Sequence, residues 1–232
     1  MKKISLLLSL GLITSMTTHA GLGGLGLSSL ASKTTESVTG VSSANIDLKG
    51  FFQQAQVTNA LFIESRVAIA SLLTSKENST ELKNKLKTLK TTSDLKEKEA
   101  LQTELAKLSS AVLEASQKDE AATVAKLEAL GKEQKNLLLG AATNFALAGL
   151  TATELAKNSK QVSTNIASNP MSLRDTGLSL TNAKSLVNDV TGIAKNSSLA
   201  LVEFPKVFKK AGIDFKVPAS TAAKPVDISA SL

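Results

Sequence analysis

Apolar residues recur at helical spacing along most of the chain. Between Asp47 and Thr74 the residues Phe51, Phe52, Ala55, Phe62, Ile69 and Leu73 fall largely at three-, four- and seven-residue steps, which makes one buried stripe and predicts a first helix starting near Asp47. Ser75 to Ser79 is a polar break. Asn78 with Glu81 three residues on then reads as an N-terminal cap for a short helix carrying Leu82, Leu86 and Leu89. Thr91-Thr92-Ser93-Asp94 is a further start signal, and Leu101, Leu105, Leu108, Val112 and Ala115 follow in the 4-3 rhythm of coiled-coil packing. The next helix is expected from Asp119 to about Asn158, with a kink or break at Gly131, Gly140 or Gly149. Asn169-Pro170 opens another, whose stripe of Leu173, Leu180, Val187, Val190 and Ile193 ends near Lys195. Ser198 to Ala211 predicts a last helix that tolerates Pro205 only in its first turn and stops at Gly212. No strand-like alternation is sustained and no repeat of 20 to 50 residues stands out. The expectation is an all-α protein: an elongated bundle of about four to six helices over residues 46–212, with flexible N- and C-terminal segments.

The ends carry a different pattern. Met1-Lys2-Lys3, the apolar run from Ile4 to Met16 and the small residues of Thr18-His19-Ala20 form the three parts of a secretory signal peptide, with cleavage expected after Ala20. A membrane anchor is the poorer reading, because about 13 apolar residues fall short of the roughly 20 that span a bilayer. Residues 21–45 are rich in Gly, Ser and Thr and predict a flexible arm. Within it Gly21-Leu22-Gly23-Gly24-Leu25-Gly26 formally matches G-x-G-x-x-G, yet the preceding strand, following helix and ribose-binding acid that give that motif its chemistry are missing. At the other end, Pro218, Pro225 and small polar residues predict an extended or disordered tail over 213–232.

Composition then narrows the chemistry. The 232-residue chain has no Cys, Trp or Tyr, and its one His, His19, lies in the expected signal peptide. Disulfides, cysteine nucleophiles and zinc sites built on Cys or His therefore have no side chains to build on in the mature chain. No P-loop, H-E-x-x-H or EF-hand pattern occurs, and no cofactor or metal is expected. Loss of Lys2 and Lys3 would lower the formal charge from +7 by two, to +5. Only Arg66 and Arg174 are arginines; with few guanidinium forks and few aromatic rings for stacking, nucleic acid is not an expected partner. Nine lysines and nine acids interleave between Lys76 and Glu120, the pattern of a solvated helix face.

Two segments remain as candidates for contact with something outside the chain. Asn136 to Thr153 is eighteen residues without a charge, eleven of them apolar; it reads first as a central core helix and second as a concealed membrane-inserting element, with Leu138, Phe145 and Leu147 as the contacting residues. Lys195 to Lys224 holds six lysines against Glu203 and Asp214. Here Phe204, Lys206, Phe208, Lys209 and Lys210 would meet an anionic lipid surface or a partner, the alternative being phenylalanines packed inward below wet lysines. Ser93-x-x-Lys96 matches the serine/lysine spacing of penicillin-recognising enzymes, but without its companion motifs Ser93 is better read as a helix cap. The function expected is that of an exported, non-enzymatic bundle that binds or scaffolds in the bacterial envelope, in the periplasm or beyond it. Its partner would be another envelope protein or a second copy. The alternative is a membrane-active or lipid-binding protein.

Overall fold

The computed structural model describes residues 47–232; the expected signal peptide 1–20 and the arm 21–45 lie outside them. Among the described residues there are six α-helices and no strand: α1 (Leu48–Leu73), α2 (Lys76–Thr91), α3 (Leu95–Lys118), α4 (Glu120–Glu128), α5 (Lys132–Ser168) and α6 (Leu180–Lys210). A 3-10 turn, Pro170–Thr176, joins α5 to α6, and a second, Ser229–Ser231, lies close to the C-terminus. The all-α bundle expected from the spacing is the fold observed.

Local side-chain chemistry sets the helix starts. Asp47 accepts from the Gly50 backbone N–H at 2.9 Å and caps α1, and Ser179 does the same for α6 through Asn182. Two caps differ from the sequence reading. Ser75, not Asn78, caps α2 by accepting from the Asn78 N–H, because the turn after Leu73 is only two residues long. Asp94, not Ser93, accepts from the Glu97 N–H at the start of α3, where a carboxylate also suits the positive end of the helix dipole. The break expected at one of three glycines falls at Gly131, whose extended backbone separates α4 from α5. Its N–H is taken by the Gln134 side chain.

The largest difference lies at the end of the chain. Two helices were expected between Pro170 and Ala211, yet one 31-residue helix, α6, runs straight through Pro205. Proline removes the N–H that would bond the Leu201 carbonyl; Phe204 and Phe208 on either side pack into the core and hold the helix together. Gly212 ends it at φ 67°, with Ile213 N–H bonded to Phe208 O and Gly212 N–H to Lys209 O, the paired bonds of a Schellman motif.

Helices α1, α5 and α6 pack on one another as the body of the bundle, while α2 and α3 form a hairpin against the opposite side of α1, and α4 ties α3 to α6. The core divides accordingly. A large cluster unites α1, α5, α6 and the C-terminal segment, and a smaller one joins Val67 and Ala70 of α1 to Leu82, Leu86, Leu89 and Leu105 of the hairpin. In α3 the inward face is Gln102, Leu105, Ser109 and Leu113, whereas Ala115 is exposed. The 4-3 rhythm is therefore rotated, because α3 must face α1 as well as α2.

Candidate functional site

The uncharged segment 136–153 is the middle of the interior. Leu138, Phe145 and Leu147 are all buried, as are Ala141, Ala142, Ala146, Ala148 and Ala152. Phe145 sits between Phe62 of α1 and Phe204 of α6, with ring centroids 4.9 and 5.3 Å away. The contacts continue from Phe204 to Phe208 and from Phe208 to Phe215, at 5.6 and 5.5 Å. Five of the seven phenylalanines thus form one unbroken line through the body. Small residues let the backbones approach: a Cβ on Gly149 would lie 2.6 Å from Ser197 Cβ of α6. No described helix is long and apolar enough to cross a membrane.

The basic end of α6 follows the same division. Phe208 is buried and Phe204 half-buried, while Lys206, Lys209 and Lys210 are exposed. Lys206 pairs with Glu203 at 2.9 Å and Lys210 with Glu120 of α4. Pairs this exposed add little stability, typically about 0–1 kcal/mol, but they occupy charges that a lipid surface would otherwise meet.

The chain beyond α6 has no α-helix and lies against the body, ending in the 3-10 turn Ser229–Ser231. Ile213 and Phe215 point inward while Asp214 and Lys216 are exposed. Farther on, Asn144 of α5, itself buried, pairs both ways with the backbone of Val226: its Oδ1 accepts from the Val226 N–H and its Nδ2 donates to the Val226 carbonyl, each at 2.8 Å. One turn earlier, Gly140 leaves room for the tail; a Cβ there would stand 2.7 Å from Ile228 Cγ2 and 3.1 Å from Val226 Cγ1. Ile228 is buried in the site so formed. Ser229 donates through its hydroxyl and its N–H to Asp227, and with Lys90 nearby these bonds hold the Asp227 carboxyl below the usual carboxylate range.

Among the described residues two charged side chains are buried. Asp189 of α6 is 2% exposed and accepts from the Asn59 amide of α1 at a long 3.5 Å; burial pushes its carboxyl up to about 7. Arg66 donates to Ala106 O at 2.6 Å and to the Ser110 hydroxyl of α3, and its guanidinium carbon lies 5.8 Å from the centroid of the Phe62 ring. Burial lowers its pKa to about 10 against the opposing pull of Glu114. Nearby on α3, the buried Gln102 amide has no hydrogen-bond partner for either polar atom. A cavity of about 440 Å³ opens between the α1–α2 turn, α3 and α4, lined in part by Asn78, Ser116, Thr123 and Lys126. Its polar groups are engaged internally, Thr123 with Ser116 O and Lys126 with Leu73 O.

Carboxylates placed by sequence at the start of α4 serve structure: Asp119 caps the helix through the Ala122 N–H and Glu120 holds Lys210. Among the described residues no three His, Cys, Asp or Glu side chains gather into a metal site. The Asn144 and Gly140 groove and the buried Asp189 were not singled out by sequence reasoning. For the groove the signal was present as an asparagine and a glycine, four apart, on one face of the otherwise apolar segment; for Asp189, as an acid between Val187 and Val190 on a buried stripe. Comparison with family models, curated proteins and solved structures finds no match.

Proposed function

We propose that this chain is an exported, non-enzymatic helical bundle that works by binding or scaffolding in the bacterial envelope. The observation that carries the reading is the use made of segment 136–153. Its apolar side chains are spent on α1, α6 and the C-terminal segment, with Phe145 at the centre of the aromatic line. A membrane-inserting function would have to dismantle that core, at a cost on the order of 3–5 kcal/mol for each large aromatic withdrawn. A binding protein leaves it intact and works through its surfaces. The export part of the reading rests on the pattern of residues 1–20.

Two measurements test it. Cell fractionation with N-terminal sequencing is expected to give a periplasmic or secreted chain beginning at Gly21; a cytoplasmic chain retaining Met1 would refute export. Flotation of the mature chain with anionic and neutral vesicles, at low and high salt, is expected to leave it unbound with unchanged helix content. Salt-resistant flotation with a change in helix would favour the membrane-active alternative.

A further inference from the structure

We infer that the groove on α5 formed by Gly140 and Asn144 is a recognition site for an extended peptide, and that it accepts the C-terminal segment of a second copy of this chain in place of its own. Asn144 reads a backbone rather than a side chain, since its amide satisfies the N–H and the carbonyl of Val226 at once. Such pairing demands an extended residue and nothing more of its identity. Selectivity comes from the two positions that touch Gly140: a branched apolar side chain at 226 and another, buried, at 228. The ligand class is therefore a segment that is extended at the residue paired by Asn144 and carries a half-exposed β-branched side chain there and a buried one two residues on, where the backbone turns (Ile228 φ −108°, ψ 1°); residues 226–228 of this chain supply it.

Nothing in these contacts requires the peptide to come from the same molecule. The stretch from Lys216 to Lys224 is mostly exposed, with Pro218 near its start and Pro225 just past its end. It makes a weak side-chain contact to α5 through Thr221 and Glu154 at 3.3 Å. A tail so tethered holds its own groove by effective concentration, in the millimolar range for short flexible links. A second copy competes once its concentration approaches that value or the cis contact is weakened. Exchange of an identical element needs no new interface chemistry, which is why it is a low-cost route to dimers. The inference deepens the binding reading and rests on it for its purpose, by naming a partner, but its test is indifferent to export.

The test mixes two full-length mature variants with complementary defects. Asn144→Ala weakens the groove and keeps the tail; Ile228→Asp spoils the tail and keeps the groove. Each is expected to run at single-chain mass in light-scattering chromatography, and an equimolar mixture to give a species of twice that mass as the tail of the first enters the groove of the second. Adding Ile228→Asp to the first variant is expected to abolish the species. A mixture that stays at single-chain mass up to millimolar concentration overturns the inference, as does association that persists with the doubly defective variant. Circular dichroism checks that each variant is folded. Gly140→Ala replaces Asn144→Ala if the latter is not, because its Cβ blocks the groove without touching the asparagine.

Discussion

Replacing Gly149 by alanine sets helix propensity against packing, and the structure fixes which prevails. In an exposed helix interior the change stabilises by about 1 kcal/mol. Here the new Cβ would lie 2.5 Å from Ser197 Oγ and 2.6 Å from Ser197 Cβ, roughly 1 Å inside the preferred carbon separation of about 3.5–4.0 Å. Ser197 Cβ is fixed to the α6 backbone, and its hydroxyl is held by Ile193 O at 2.7 Å, so no rotamer relieves the overlap and the helices must part. Overpacking of this kind costs about 1–3 kcal/mol. Net of propensity, Gly149→Ala is expected to destabilise by up to about 2 kcal/mol, a fall in Tm of up to about 8 °C for a chain of this size. Urea melts followed by circular dichroism give the value, the chain having no Trp or Tyr for fluorescence. Combining it with Ser197→Gly is expected to recover about 1–2 kcal/mol as a coupling energy. A Gly149→Ala protein stabilised by the full propensity gain of about 1 kcal/mol would refute the close approach of α5 and α6.

Other substitutions test other parts of the interior. Asp189, neutral in the fold up to about pH 7 but ionised above about 3.9 in the unfolded chain, makes the folded state bind the extra proton between those values. Stability from this group is therefore full below about pH 4, declines as pH rises to about 7 and is level above, a loss on the order of 4 kcal/mol. Subtracting the pH profile of Asp189→Asn from that of wild type is expected to leave this slope, and parallel profiles would contradict it. Gln102→Leu is expected to stabilise by about 1–3 kcal/mol in urea melts by removing two buried, unpartnered polar atoms; destabilisation would mean that the amide has a partner. Phe145→Ala is expected to cost about 3–5 kcal/mol, and Phe145→Asp to unfold the protein, read as loss of the helical signal at 222 nm. A folded Phe145→Asp protein would contradict the central place given to that ring.

Much of the bundle was legible because one helix face was enough to predict it. The α1 stripe and Leu82, Leu86 and Leu89 of α2 are buried as their spacing implies, Gly212 ends α6 at a positive φ that favours glycine, and the break between α4 and α5 falls at Gly131. What escaped was decided by contacts distant in sequence. Pro205 breaks helices on local grounds, yet α6 continues through it because Phe204 and Phe208 are fixed by Phe145 and Phe215. The rotation of α3 depends on facing two helices, which no single-helix periodicity encodes. The tail reads as polar and proline-rich, and its place comes from contacts distant in sequence: Ile213, Phe215 and Ile228 buried against the body and Val226 paired with Asn144, 82 residues away. Of the candidate contact residues, Lys206, Lys209 and Lys210 lie on the surface, while Leu138, Phe145, Leu147 and Phe208 are interior.

The central claim is that residues 136–153 are a permanent core rather than a concealed membrane element, and hydrogen exchange tests it most directly. Mass spectrometry of the mature chain, with and without anionic vesicles, is expected to show this segment exchanging most slowly, through global unfolding only, with unchanged protection in the presence of lipid. Rapid exchange of 136–153 in buffer, or protection that shifts when vesicles are added, would contradict the account.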